Sequence, residues 1–439
     1  QPLEKGMGDM INAQDGLYTL ILRGVANGKV EENREIIECV KGCLNPYSQW
    51  AETVACACGK DLRFVFSNTT EAGIEYKPEP YTPGKCQNTY PAKLASLLYE
   101  RFKAFNGAAD KGLVLIPCEL IDKNGTNLKK CILNYAKDWN LPAEFTAWIN
   151  ESNLFVNTLV DRIVAGYPRA EAAKIEAELG YNDNLIDCGE IFHFFVIEGP
   201  QSLSKELPLI DAGLQVVITD NQTPYRTRKV RFLNGAHTAD VLAASLGGLT
   251  FVDEMMNDPD FGRMVCKAIN DEIFHTVQLP EEEKRFFADS VIERFKNPFA
   301  QHRLLSISLN SVSKWKVRVM PSLLDYVQMK GRLPEVLAFS LAALIRFYML
   351  ELKDGTAEGS VDGRTYPVAD SEDVLRFFAD ATAQFKADGN TAKLVASVLG
   401  NKEFWGMDLN TVPGLAEFAT AKLELINKDG IRSAVKTIL

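Results

Sequence analysis

Histidine is scarce in this chain, with four residues among 439, at positions 193, 237, 275 and 302. A metal centre built on imidazole has few ligands to draw on, and the nine cysteines do not make up the shortfall. Cys56-Ala-Cys58 and Cys39-x3-Cys43 lack a second Cys/His pair at zinc spacing, so no metal is expected. An odd number of thiols, spread from Cys39 to Cys266, fits reduced cysteines in a cytoplasm better than a disulfide framework. Long apolar runs are missing as well. Nothing approaches the roughly 20 apolar residues of a membrane span, and the first ten residues, QPLEKGMGDM, carry no apolar leader core. Basic charge is in deficit, 48 Lys and Arg against 58 Asp and Glu, and this net −10 argues against general affinity for nucleic acid. An anionic ligand would have to be drawn locally, and two basic clusters, at 226–231 and 314–318, offer that.

At 439 residues the chain is long enough for two or three cores. Its first half alternates short apolar runs, 17–22, 62–66 and 113–116, with a helical pattern over 91–106. Strands separated by helices predict βαβ units, hence a Rossmann-like, doubly wound sheet over residues 1–220. Strand character returns over 190–218. From Asn234 onward helical spacing dominates, in runs at 238–247, 260–277, 281–296, 299–313, 334–351, 371–386 and 391–399. The expectation is an α/β domain followed by a mainly α-helical domain over 228–439, joined through the polar stretch TDNQTPYRTR. One element of the first fold is missing: no strand leads into a G-x-G-x-x-G loop, the usual seat of a pyrophosphate. Gly6-Met-Gly8 has no strand before it. A first strand-helix unit, roughly 30 residues or more, is expected to be absent from this sequence.

The chemistry concentrates in Lys229-Val-Arg-Phe-Leu-Asn234-Gly-Ala-His237. Taking a hydride from a secondary alcohol requires a base for the hydroxyl proton and neutral donors for the oxygen as its charge grows. A lysine whose ammonium is disfavoured by burial or by neighbouring cations, here Arg226, Arg228 and Arg231, supplies the first. An asparagine amide and an imidazole supply the second. The alternation of Val230 and Phe232 predicts a short strand, with a helix starting at Asn234 that places Asn234 and His237 on one face. Each residue also has a plainer reading: an N-cap asparagine, a first-turn histidine, a solvated lysine. Taken singly, the plainer readings are the better ones.

Other candidates follow strands or sit on helices. Ser67, Asn68, Thr69 and Glu71 come directly after a predicted strand, where ligands of doubly wound sheets gather, although a polar turn capping the next helix would look the same. Cys118 and Asn124 follow the next strand, and Asn124-Gly125 also reads as a turn. Asn157 lies on an amphipathic run with Phe155, Leu159 and Ile163, one turn before Asp161 and Arg162, which read as structural anchors. Lys314 and Arg318 are four apart on a predicted helix and project together. They suit a carboxylate, though a charge run is more often a solvated face. His302 lies upstream of them.

The spacing Lys-x4-Asn-x2-His followed by a helix resembles the signature of the polyol-specific long-chain dehydrogenases, the mannitol dehydrogenase family. SNTTEAGI (67–74), IPCELIDKNGTNL (116–128), NTLVDRIVAGYPR (157–169), FVIEGPQSL (195–203), RFKNPFAQHRLLSISLNSVSKWKVRVMP (294–321) and DLNTVPGL (408–415) resemble its hexuronate-acting branch, in order along the chain. This resemblance implies an NAD-dependent oxidoreductase acting on a small sugar acid. Lys229, Asn234 and His237 would be catalytic. Ser67, Asn68, Thr69, Glu71 and Cys118 would hold the cofactor, and Asn124, Asn157, His302, Lys314 and Arg318 the substrate. Protein partners and oligomeric state stay open, a monomer among the options. Where the mannitol-specific relatives have an asparagine in the oxyanion site, two residues after the cysteine, this chain has Leu120. The alternatives are another hexuronate reductase, a mannitol dehydrogenase, or a non-catalytic binding protein on a dehydrogenase fold.

Overall fold

The computed structural model describes residues 5–26, 28–70, 72–353 and 356–439. It divides into two compact units, 1–23 with 32–225, and 24–31 with 226–439.

Among the described residues, ten strands precede residue 220. β1 (Tyr18–Ala26) and β2 (Lys29–Ile37) lead the chain, followed by β3 (Phe64–Ser67), β4 (Val114–Pro117) and β5 (Leu154–Phe155). Then come β6 (Asn157–Asp161), β7 (Val164–Gly166), β8 (Asp187–Gly189), β9 (Phe194–Glu198) and β10 (Val216–Thr219). They form three small sheets, in the orders β2-β1-β8-β7, β3-β4-β5 and β10-β9-β6. The β3-β4-β5 sheet is wholly parallel, with Phe64 opposite Val114 and Val114 opposite Leu154. Parallel strands need crossovers, and helices provide them. The helix Tyr90–Ala104 opens on Thr89, whose side chain accepts from Ala92 N, with Pro91 in the first turn, where its missing N–H costs nothing. Its buried Leu94, Ala95 and Leu98 join Leu128, Ile132 and Tyr135 from the helix Asn124–Asp138, and Phe145 and Trp148 from the helix Ala143–Glu151, in one core against the sheet. β4, with all four residues buried, is the central strand that its apolar run predicts.

Residues 157–161, read from sequence as part of an amphipathic run, are a strand. β6 pairs antiparallel with β9 from Asn157 opposite Glu198 to Asp161 opposite Phe194, so sheet hydrogen bonding overrode the helical spacing. Arg162 donates to the carbonyls of Phe192 and Ile191, an anchoring role.

The second unit is mainly helical. The helix Glu335–Phe347 is apolar on nearly every side, as a helix buried all round must be. It packs against the helices Ala236–Leu246 and Leu415–Asp429. Two sequence expectations fail here. The run 299–313 is not one helix, because only Leu304–Ile307 and the start of Ser311–Arg318 are helical, separated at Asn310, whose backbone is left-handed. A three-stranded antiparallel meander, β11 (Leu350–Lys353), β12 (Thr356–Val361) and β13 (Arg364–Pro367), fills the stretch between the expected helical runs 334–351 and 371–386 and takes the last two residues of the first. Its alternating burial along β12 is the usual mark of a sheet with one covered face. No helix among the described residues is long and apolar enough to cross a membrane.

Candidate active site

The strand expected at Lys229–Phe232 does not form. The helix Thr223–Lys229 runs through a π turn, Val230–Gly235, into the helix Ala236–Leu246. The difference has chemical consequences. Five residues along an α-helix would leave Lys229 and Asn234 roughly 140° apart around the axis. A π turn closes its hydrogen bonds between residues five apart, so such residues stack instead, and turns of this kind recur at functional sites. His237 then follows Asn234 by three residues on regular helix, on the same face. The turn therefore brings Lys229 and Asn234 closer in angle than an α-helix would, and its Phe232 and Leu233 are buried. Phe232 meets Phe274 and Phe287 edge to face, at 6.2 and 6.1 Å between centroids.

His237 is buried, and its Nε2 has no hydrogen-bond partner among the described residues. Its ring stacks on Phe295 at 3.9 Å with 13° between planes, and His302 stands edge-on at 5.5 Å. Burial, then the charges of His302, Arg294 and Arg318, hold the imidazole well below its ordinary pKa. It is thus neutral near pH 7, able to donate or accept without adding a proton to the site.

The second basic cluster reaches both rings, Arg318 acting on His237 and Lys314 on His302. Gly235 makes the approach possible, because a Cβ there would stand 3.0 Å from the carbonyl oxygen of Arg318. Lys314 and Arg318 are both half-buried on the helix Ser311–Arg318. The Lys314 ammonium donates to Ile307 O at 2.9 Å, and burial, followed by the charge of Arg318, lowers its pKa. His302 is lowered in turn by burial and by Lys314. Its backbone is held in place through Val252 N, which donates to His302 O at 3.0 Å. Two of the cations read as tuning Lys229 are committed elsewhere. Arg231 pairs with Asp325 at 2.6 Å, and buried Arg228 lies 4.3 Å from the Phe287 ring centroid, with Glu283 at 3.8 Å.

Sequence reading missed Arg294 and Phe295, although both stand in the stretch RFKNPFAQH. It also missed the buried carboxyls of Asp240 and Glu272. Glu272 accepts from Val336 N and Leu337 N, at 2.8 and 2.9 Å, at the start of the helix Glu335–Phe347. Only burial in a helical core distinguishes these two from surface acids, and no local pattern signals that.

In the first unit, Ser67, Asn68 and Thr69 lie at the carboxyl end of β3 and line a cavity of about 530 Å³ with Tyr90, Lys93 and Leu97. Glu119, buried and not foreseen, organises this end. It accepts from Ser67 Oγ at 3.0 Å, Thr69 N at 3.1 Å and Thr69 Oγ1 at 2.9 Å. Asn68 is exposed beside them. Cys118 N donates to Ser67 O at 2.6 Å, and burial, aided by Glu119, pushes the thiol up to about 11, so it stays protonated. Leu120 is 65% exposed. Glu71 lies outside the described residues.

Asn124 and Asn157, expected to touch substrate, are committed to the fold. Asn124 is fully buried: its Nδ2 donates to Pro117 O at 2.8 Å and Thr158 Oγ1 at 3.1 Å, and its Oδ1 accepts from Gly125 N and Thr158 N. Asn157 Oδ1 accepts from Thr126 N at 2.9 Å, and its Nδ2 donates to Glu198 at 2.8 Å. Neither has a free amide to offer.

Two family models match the chain: Mannitol dehydrogenase Rossmann domain over residues 2–211 and Mannitol dehydrogenase C-terminal domain over 221–427. An altronate oxidoreductase of Enterobacter sp. (strain 638) is 46% identical over 440 residues, covering 100% of this chain and 89% of that protein. One of Pectobacterium carotovorum subsp. carotovorum (strain PC1) is 46% identical over 439 residues, covering 99% and 89%. Among solved structures, a D-sorbitol dehydrogenase in substrate-free form superposes with a TM-score of 0.77 at 21% identity, covering 98% of this chain and 85% of that one. A Pseudomonas fluorescens mannitol 2-dehydrogenase, in ternary complex with NAD and D-mannitol, superposes at 0.65, with 21% identity and the same coverage.

Proposed function

This chain belongs to the mannitol dehydrogenase family, and from that membership and the site on its helical unit we propose that it is an NAD-dependent hexuronate reductase interconverting tagaturonate and altronate. That it is an oxidoreductase of the polyol type follows from the family and from relatives matched along the full chain. The finer reading rests chiefly on one observation: Arg318 brings positive charge to the His237 imidazole, and Lys314 brings it to His302 beside that ring. A neutral polyol has no use for such a pair of cations. A sugar acid does.

In this reading Lys229 exchanges the proton of the reacting oxygen, giving it up in reduction and taking it back in oxidation. Neutral His237 and the Asn234 amide hydrogen-bond that oxygen without competing for the proton. Arg318, with Lys314, holds the far carboxylate. The hydroxyls and amide of Ser67, Asn68 and Thr69, at the carboxyl end of parallel strands and beside a cavity, fit the ribose and carboxamide of a nicotinamide nucleotide. When bound, that nucleotide supplies the hydride.

The test is turnover with NADH on tagaturonate, fructuronate and fructose. Preference for tagaturonate supports the proposal. Preference for fructuronate or fructose transfers the site to the corresponding reaction, and no turnover on any of them, with NADH still bound, supports a non-catalytic protein.

A further inference from the structure

A histidine that works on a substrate oxygen is usually aimed by a hydrogen bond at its other nitrogen, which fixes both tautomer and ring plane. His237 has no such tether at Nε2 among the described residues. What confines its ring is contact between aromatic faces. Phe295, 3% exposed at the end of the helix Glu281–Phe295, lies under the imidazole at 3.9 Å and nearly parallel to it. At that spacing the two faces are in van der Waals contact, so turning the imidazole about its χ2 would drive its edge into the phenyl ring. His302 closes the edge at 5.5 Å.

We infer that Phe295 is the positioning residue of the site: its ring, in place of a hydrogen bond, sets the plane in which His237 presents its nitrogens to the reacting oxygen. The inference rests on the proposed catalytic role of His237, but the stacking itself can be measured without it. The phenyl ring also fills the space that water would need to solvate the imidazole from below, leaving Arg294, Arg318 and His302 as the charges that face it. Both effects follow from one side chain that carries no polar atom.

Four histidines in the chain make imidazole NMR practical on the full-length protein labelled at histidine. In the wild type one imidazole should be shifted upfield by the phenyl ring current and remain neutral to well below pH 6.5. Should all four resonances be unshielded and titrate normally, the inference fails before any variant is made. Phe295→Leu keeps an apolar side chain but removes the flat face. It should abolish the upfield shift, move the titration toward the ordinary value and lower kcat by roughly a hundredfold, the scale of a small misplacement of a catalytic group, while KM changes by less than about threefold. Phe295→Tyr retains the face and should restore both shift and kcat. If Phe295→Leu alters the NMR signal but leaves kcat unchanged, the stack is real and the catalytic role of His237 is wrong. An unchanged NMR signal in that variant overturns the positioning role itself.

Discussion

Lys229 and Asn234 stand at the start and near the end of a single π turn, so the five-residue spacing that would part them on an α-helix stacks them on one face. The cooperation proposed for them depends on that turn. The helices on either side, Thr223–Lys229 and Ala236–Leu246, are regular, and the irregularity between them is confined to Val230–Gly235.

Replacing the base should therefore cost turnover and little else. Lys229→Ala is expected to lower kcat by about 10²–10⁴, the usual worth of a positioned proton-transfer group, with NADH affinity within a few-fold of wild type. Lys229→Arg should not restore activity, because a guanidinium does not give up its proton. Steady-state kinetics with a fluorescence titration of NADH decides it, and full turnover by Lys229→Ala would remove the lysine from the mechanism.

The cations on the helix Ser311–Arg318 should discriminate substrate charge. Arg318→Met or Lys314→Met removes a charge-assisted contact worth about 1.5–3 kcal/mol with an ionised partner. That is a loss of roughly ten- to over a hundredfold in kcat/KM for a hexuronate. Slow side activity on fructose, which never used the contact, should hardly move. Equal losses on both substrates would mean that the two cations serve structure, as Lys314 partly does through its bond to Ile307 O.

How much of this was legible depends on the range of the interactions concerned. β4 was visible because a buried parallel strand is a short apolar run, β3 because it too is a short apolar run though only partly buried, and the helix Tyr90–Ala104 because its cap and spacing are local. Spacing and resemblance single out Lys229, Asn234 and His237 as candidates, but not the local structure that carries them. Alternation of Val230 and Phe232 looks like a strand, whereas packing of Phe232 against Phe274 and Phe287, more than 40 residues away, sustains a π turn. Asn124 and Asn157 looked exposed enough to bind ligand, and only the path of β6 beside the end of β4 shows their amides committed. Phe295 lay in plain view in RFKNPF, but nothing near it in sequence points to a histidine 58 positions earlier.

The reassignment of Asn124 is directly testable. Asn124→Ala leaves Thr158 N without its acceptor in a buried place and removes one of the two donors to Pro117 O, at a cost of about 1–3 kcal/mol. The variant should lose thermal stability while the fraction that stays folded keeps a KM near wild type. A normal melting temperature with a raised KM would return Asn124 to the substrate site.

The last prediction concerns Asp240 and Glu272, two buried carboxyls in the helical unit that the proposed chemistry does not use. Burial, followed by the charge of Glu272, pushes Asp240 well above the ordinary range. Burial lifts Glu272 from 4.5 to about 7, against the bonds it accepts from Val336 N and Leu337 N and the nearby Lys267. Both groups hold their protons more tightly folded than unfolded, so between pH 4.5 and about 7 the folded state binds more protons. Stability must then fall as pH rises through that window. For Glu272 alone, the rise from 4.5 to about 7 corresponds to a loss of roughly 3 kcal/mol by the time the carboxyl is ionised. Asp240→Asn has no proton to surrender and cannot place a second negative charge beside Glu272. Its urea midpoint should exceed that of the wild type at pH 8, and the difference should shrink toward pH 5. Parallel pH profiles for the two proteins would show that Asp240 is not the buried, protonated group its surroundings imply.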